Sequence, residues 1–177
     1  MRFLLILIFL AGCSKPTILC LGDSTLYARN EGVYLDNNGF PTKLEEKLNA
    51  TVINDGFCGG TAYSILQTYV AKYGDRHFEH VIIRVGYCDH NPENVRTSLN
   101  LLIPRINSEN VILLKWETPT NETDELNKVL KEVAENTQAK FLETGLTQND
   151  FRVEDKFHFT QRGANKIAEV LINETAL

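Results

Sequence analysis

Positive charge, cysteine and long apolar segments are all scarce in this sequence of 177 residues. Its 18 lysines and arginines against 23 aspartates and glutamates give a formal charge of −5. No Lys/Arg run appears, and this argues against a nucleic-acid partner. No low-complexity tract or internal repeat is visible. What is present is an ordinary globular composition, 43% hydrophobic and 23% charged, in a length that suits one domain.

The N-terminus carries a short apolar run with a distinctive end. Nine apolar residues follow Arg2. Nine are too few to span a bilayer core, which needs about 20, but they fit an export signal. The closing "LAGC" resembles the lipobox of bacterial lipoproteins. In those proteins the signal peptide is cut before a cysteine that carries lipid. The alternatives are an uncleaved membrane anchor and an ordinary secretory signal. We therefore expect a signal peptide over residues 1–12 and one domain over 13–177, anchored in the bacterial cell envelope through a lipidated Cys13.

The remaining cysteines give little support for metal chemistry. If Cys13 carries lipid, Cys20, Cys58 and Cys88 are left, an odd number, so at least one is a free thiol or an intermolecular partner. Their spacing matches no zinc template. Neither a Walker pattern nor GxGxxG is present. We expect no metal and no cofactor.

Five short apolar runs alternate with segments of helical periodicity. The runs cover residues 17–22, 50–55, 80–86, 110–116 and 139–143. They are continuous rather than alternating, which is typical of parallel strands covered on both faces. The pattern predicts an α/β fold, a five-stranded parallel sheet with helices on both faces. Asn91-Pro92 is expected to begin one helix and Thr160 to cap the last.

Ligands bind such sheets where the parallel strands end, so the residues after each strand are the first candidates for function. After the first strand, "LGDSTLY" exposes Ser24 behind a turn at Gly22, where a nucleophile would sit. The same residues also suit an ordinary turn. After the second strand, "NDGFCGGT" has three glycines that can present backbone N–H groups to a cleft.

The segment "RVGYCDH", residues 84–90, ends the third strand and allows three interpretations. Cys88, Asp89 and His90 could bind a metal, or supply a thiol nucleophile with its base, or form a loop whose position matters more than its side chains. Three ligands in direct succession are poorly spaced for a metal.

Near the C-terminus, "EDKFHFT" places Asp155 three residues before His158. In a loop, this spacing lets the carboxylate reach Nδ1 of the histidine and leaves Nε2 free to take a proton from a serine. A surface loop with a solvated histidine is the alternative.

Together, in this order, these motifs resemble the SGNH (GDSL-type) hydrolases over nearly the whole chain from about Thr17. The resemblance implies a flavodoxin-like three-layer sandwich. It also implies Ser24 as nucleophile, His158 as general base and Asp155 as the orienting acid, with the backbone N–H groups of Ser24 and Gly59 in the oxyanion hole. Family members are esterases, lipases, thioesterases and carbohydrate O-deacetylases.

The chain departs from the family at one position. Where the family's third block reads Gly-x-Asn-Asp, this sequence has Cys88 in place of the asparagine whose amide donates to the oxyanion. A thiol is a weak hydrogen-bond donor, so the resemblance implies reduced activity unless a neighbour such as Asn91 fills the gap. Because Cys58 and Cys88 lie on the two oxyanion loops, a disulfide between them is a further hypothesis.

Two functions follow as expectations. The first is a serine esterase of the cell envelope that cleaves a short acyl ester, with an O-acetyl group on a glycan as the favoured substrate. The second is a catalytically weakened relative that binds a glycan or a partner protein without turnover.

Overall fold

The computed structural model describes residues 15–30, 33–35, 38–118, 123–175 and 177. The predicted signal peptide and Cys13 lie outside the described residues. The strands are β1 (Thr17–Gly22), β2 (Ala28–Asn30), β3 (Val33–Leu35), β4 (Thr51–Gly56), β5 (His80–Arg84), β6 (Val111–Leu114) and β7 (Lys140–Leu142). The helices are α1 (Phe40–Lys47), α2 (Ala62–Lys72), α3 (Pro92–Leu102), α4 (Asp124–Thr137) and α5 (Gln161–Thr175). Short 3-10 turns cover Ser24–Leu26, Tyr87–Asp89, Ile103–Arg105 and Gln148–Asp150.

Five of the strands form one parallel sheet in the order β4-β1-β5-β6-β7, which confirms the predicted architecture. The chain moves outward from β1 to β4 on one side and then returns to β5 on the other side of β1, so that the strand order reverses at β1, as in flavodoxin-like folds. The remaining two strands, β2 and β3, make a small antiparallel hairpin that the sequence analysis did not predict.

Two apolar layers cover the sheet because successive side chains of a strand point to opposite faces. In β1, Leu19 and Leu21 pack with α2, α3 and α4 on one face, whereas Ile18 and Cys20 pack with α1 and α5 on the other. The result is a three-layer sandwich. Cys20 is a buried strand thiol whose pKa is raised by burial.

The predicted helix starts are confirmed by their capping hydrogen bonds. The side chain of Asn91 accepts from the Glu93 backbone N–H at 2.9 Å, and Pro92 occupies the first helical position of α3. Thr160 Oγ1 accepts from the Gly163 N–H at 3.2 Å at the start of α5. No helix in the described part of the chain is long and apolar enough to cross a bilayer.

Candidate active site

The turn that carries Ser24 is fixed by the end of β1. A β-carbon at Gly22 would lie 2.5 Å from the Arg84 carbonyl oxygen and 2.2 Å from a methyl of Leu26, so only glycine fits. Asp23 then caps the 3-10 turn: its Oδ1 accepts from the Thr25 backbone N–H at 2.8 Å and from Thr25 Oγ1 at 2.7 Å. Burial raises the pKa of Asp23 despite these bonds. Ser24 is thereby held in one backbone conformation at the sheet edge.

The structure brings Ser24, His158 and Asp155 into one hydrogen-bonded chain. Ser24 Oγ lies 2.9 Å from His158 Nε2, and His158 Nδ1 lies 2.9 Å from Asp155 Oδ2. His158 is 1% exposed and Ser24 is 8% exposed. Ser24 and His158 are 134 residues apart in sequence, so this contact is made by the fold.

Asp155 also shapes the loop that presents His158. Its Oδ1 accepts from the His158 backbone N–H at 3.0 Å and from the Phe157 N–H at 3.2 Å. Burial of Asp155 opposes ionisation, but the hydrogen bonds from His158 and Phe157 outweigh it and lower the pKa of this carboxyl. An ionised Asp155 holds the proton of the imidazole on Nδ1, so that Nε2 can accept the Ser24 proton.

The glycine loop after β4 packs directly against the Ser24 turn. The Phe57 N–H donates to the Gly22 carbonyl at 3.2 Å, and a β-carbon at Gly60 would lie 3.0 Å from that same oxygen. Between them, Gly59 has φ of +72° and faces open space. The loop predicted to supply an oxyanion N–H therefore lies beside the turn that carries Ser24.

Cys88 lies in the 3-10 turn after β5. The next two residues, Asp89 and His90, do not join it in one site. The Asp89 carboxylate turns inward and accepts from the Ala62 N–H at 3.0 and 3.1 Å, which ties this turn to the start of α2. His90 is exposed. Among the described residues, no group of three or more His, Cys, Asp or Glu side chains is arranged to hold a metal ion.

The Cys88 thiol is half-buried, and burial raises its pKa; Asp23, Asp89 and Cys58 add to the effect. It therefore carries its proton at neutral pH and can donate only weakly. Asn91, the neighbour considered as a substitute donor, is exposed and uses its side-chain oxygen as the cap of α3. The hypothesised Cys58–Cys88 disulfide is not formed: both are free thiols, with Cys58 exposed and Cys88 half-buried.

Arg84 is a supporting residue that the sequence analysis missed. It is completely buried below the Ser24 turn, where Nε donates to Thr25 Oγ1 at 3.1 Å and Nη1 donates to the Lys115 carbonyl at 2.8 Å. Its guanidinium carbon lies 4.2 Å from the ring centroid of Trp116 and 4.7 Å from that of Phe159. Burial lowers the pKa of Arg84 to about 10. An arginine inside the apolar run "HVIIRVG" was the available signal.

A cavity of about 570 Å³ borders this site and was not predicted either. Its walls include the rings of Tyr87, Trp116 and Phe157 and the side chains of His90, Glu125 and Lys156. The rings form a stack: Tyr87 lies 5.8 Å from Trp116 and 4.8 Å from Phe157, whose ring is 4.3 Å from that of His158. The volume lies within the range of sites for small ligands, about 300–1,000 Å³.

No protein-family model and no curated protein sequence matches this chain. Solved structures do match it. A lipase/acylhydrolase from Enterococcus faecalis superposes with a TM-score of 0.77 at 20% identity, over 90% of this chain and 94% of that one. The chain has the fold of the SGNH hydrolases.

Two further structures with this fold are esterases. The psychrotrophic esterase EstA from Pseudoalteromonas sp. gives a TM-score of 0.70 at 19% identity, over 92% of this chain and 97% of that one. An acetylxylan esterase from Geobacillus stearothermophilus gives a TM-score of 0.70 at 17% identity, over 93% and 95%. These likenesses establish the SGNH-hydrolase fold, and a fold alone does not fix the chemistry of a site.

Replacing Cys88 with asparagine, the residue that the resemblance to the SGNH hydrolases predicts at this position, tests the proposed weakness of the thiol as a donor. We expect Cys88→Asn to raise kcat on a short ester by up to about 100-fold, because an amide donates to an oxyanion more strongly than a thiol does. Steady-state kinetics of the variant and of Cys58→Asn, the cysteine on the opposite loop, provide the measurement and its control. An unchanged or lower kcat in Cys88→Asn would show that another group already supplies the donor.

Proposed function

We propose that the protein is a serine ester hydrolase that cleaves short acyl esters, with Ser24, His158 and Asp155 as its catalytic residues. One observation carries the proposal: Ser24 Oγ, the His158 imidazole and the Asp155 carboxylate are linked by two contacts of 2.9 Å. This is the arrangement that activates a serine hydroxyl for attack on a carbonyl carbon.

The proposed reaction has two halves. In the first, Ser24 Oγ bonds to the ester carbonyl carbon as His158 Nε2 takes its proton, and the imidazolium then gives that proton to the leaving alcohol. In the second, His158 takes a proton from water as the water oxygen attacks the carbonyl carbon of the acyl-serine. The imidazolium then gives that proton to Ser24 Oγ as the bond between this oxygen and the acyl group breaks, which releases the acid. Backbone N–H groups of Ser24 and Gly59 and the thiol of Cys88 are the proposed donors to the oxyanion.

The proposed substrate is a short ester, and an O-acetyl group on a glycan is the favoured case. An acetylxylan esterase shares the fold, which supports an acetylated sugar as substrate. A series of acetyl, butyryl and octanoyl esters of one alcohol tests the acyl length. We expect kcat/KM to be highest for acetyl and lowest for octanoyl; a preference for octanoyl would overturn the assignment to short acyl groups.

We also propose that the protein is lipid-anchored through Cys13 in the bacterial cell envelope, on the basis of the apolar run and "LAGC". Cys13→Ser should block cleavage of the signal peptide, so that the variant accumulates as a precursor. The reason is that the lipid is attached to the cysteine thiol, which the variant lacks. Mass spectrometry of the wild-type N-terminus is the measurement. An unmodified chain beginning at Met1, or one beginning beyond Cys13, would contradict the anchor.

A second candidate function is supported by Cys88. With a weak donor at this position, the site could bind an acylated glycan or a partner protein without turnover. Hydrolysis of a short ester by the purified protein, lost in Ser24→Ala, would exclude this candidate.

A further inference from the structure

One buried guanidinium contacts the residues that immediately follow both Ser24 and His158. Arg84 is the last residue of β5, and its side chain is completely buried. Its Nε donates to Oγ1 of Thr25, the residue after Ser24. Its guanidinium carbon lies 4.7 Å from the ring centroid of Phe159, the residue after His158. Two segments that are 134 residues apart in sequence therefore pack against one side chain.

The contact of Arg84 with the Ser24 turn is part of a short chain of hydrogen bonds. Thr25 Oγ1 accepts from Arg84 Nε at 3.1 Å and donates to Asp23 Oδ1 at 2.7 Å. The residues on both sides of Ser24 are therefore connected to Arg84. The Thr25 hydroxyl is the link, because it acts as an acceptor and as a donor at the same time.

Other contacts of the guanidinium fix it against the end of β6. Nη1 donates to the Lys115 carbonyl at 2.8 Å, and the guanidinium carbon lies 4.2 Å from the Trp116 ring centroid. Hydrogen bonds from two different nitrogens set the orientation of a planar guanidinium, and aromatic faces attract its charge. Arg84 is thus a rigid connection between the Ser24 turn and the segment that contains His158.

The stability of the core does not explain this arginine. Burial lowers the pKa of Arg84 to about 10, so it remains charged at neutral pH. Within the described part of the chain, Arg84 Nη2 and Asp23 Oδ2 are both buried without a hydrogen-bond partner. Burying a charge is costly, and an apolar side chain of similar volume is often at least as stable in such a position. A role in the geometry of the site accounts for an arginine where stability does not.

We infer that Arg84 is a positioning residue that sets the 2.9 Å distance between Ser24 Oγ and His158 Nε2, because it holds Thr25 and Phe159 in fixed positions. The inference rests on the proposed esterase function. Arg84 is 0% exposed, so it touches no substrate and acts through other residues. Misplacing a reacting group by about 1 Å can lower a rate about 100-fold, so a small shift of either segment has a measurable effect.

Arg84→Met tests the inference, because methionine fills much of the same space but has neither the charge nor the hydrogen bonds. We expect kcat on 4-nitrophenyl acetate to fall about 100-fold. The maximal rate of labelling by a fluorophosphonate should fall equally, whereas the probe concentration that gives half of this rate should change less than about twofold. Lys43→Met removes another buried cation, one that pairs with Glu46 on α1, and is the matched control; its kcat should stay within about twofold of wild type.

Replacements of Thr25 test the link while the buried charge stays in place. Thr25→Val keeps the shape of the side chain and lacks the hydroxyl, whereas Thr25→Ser keeps the hydroxyl. We expect kcat to fall about tenfold in Thr25→Val, the effect of one lost hydrogen bond, and to stay within about twofold in Thr25→Ser. Since Thr25→Val and Arg84→Met break the same hydrogen bond, the double variant should be about as slow as Arg84→Met alone.

Thermal unfolding of each variant separates positioning from stability. A merely structural Arg84 would lower the melting temperature of Arg84→Met and leave the kcat of the folded protein unchanged, and this result would overturn the inference. If Arg84→Met does not fold, the two Thr25 variants decide: equal kcat values for Thr25→Val and Thr25→Ser would overturn the link.

The outcomes also separate the positioning role from the esterase. Wild-type kcat in folded Arg84→Met and Thr25→Val would overturn the positioning role and leave the esterase standing. Losses of kcat that multiply in the double variant would show that Thr25 does not act through Arg84 and would overturn the link. Wild-type protein that neither hydrolyses 4-nitrophenyl acetate nor reacts with the fluorophosphonate would overturn the esterase, and the positioning role with it.

Discussion

Ser24→Ala and His158→Ala are each expected to lower kcat on a short acetyl ester by at least about 10⁴-fold, with the fold unchanged. Without Oγ there is no nucleophile, and without the imidazole nothing takes its proton across the 2.9 Å contact. Because the two residues act as one unit, the double variant should be no worse than either single variant. Steady-state kinetics gives the rates, and circular dichroism and thermal unfolding check the fold.

Two other positions provide controls for these substitutions. Ser98→Ala removes a buried hydroxyl on α3, away from the site, and His77→Ala removes an exposed imidazole. Both should keep kcat within about twofold of wild type, as expected for positions that do not contact the substrate. Ser24→Ala protein that still turns over the ester would contradict the proposed mechanism.

Asp155→Asn is expected to lower kcat by about 10⁴-fold, as much as Asp155→Ala or more. In the native loop, Oδ1 holds the backbone N–H groups of Phe157 and His158, while Oδ2 faces His158 Nδ1 at 2.9 Å. An asparagine retains the first role but presents an NH₂ group to Nδ1. That donor favours the imidazole tautomer in which Nε2 carries the proton and cannot accept one from Ser24.

The comparison between the two Asp155 variants distinguishes orientation of the loop from control of the tautomer. If the carboxylate only shaped the loop, asparagine would preserve most of the activity and alanine would not. Measured kcat values for both variants decide this, with Glu154→Gln, an exposed carboxylate one residue away, as the control. An asparagine variant within about tenfold of wild type would show that the negative charge is not needed.

The parts of the fold that depend on local pattern were predictable from the sequence. Continuous apolar runs identified all five strands of the parallel sheet, and Asn91-Pro92 identified the start of α3. The predicted strand 80–86 was too long, because Gly86 turns the chain with φ of 128° after β5 ends at Arg84. The hairpin of β2 and β3 was missed, since strands of three residues are too short to show a period.

The residues of the candidate site were predictable only where they lie in a short motif of neighbouring residues. The Asp155–His158 contact follows from a spacing of three, and Ser24 follows from the turn after β1. The cavity does not follow from any such spacing, because Tyr87, Trp116 and Phe157 come from three distant loops that only the sheet order brings together. The role of Arg84 likewise depends on tertiary contacts with Thr25 and Phe159.

Reaction of the purified wild-type protein with a fluorophosphonate, followed by mass spectrometry of its peptides, tests the central claim most directly. Such a probe forms a covalent bond with a serine whose hydroxyl is activated by a neighbouring base. We predict a single adduct, on Ser24, that is absent in Ser24→Ala and strongly reduced in His158→Ala. An unlabelled wild-type protein, or an adduct on another serine that persists in Ser24→Ala, would contradict it.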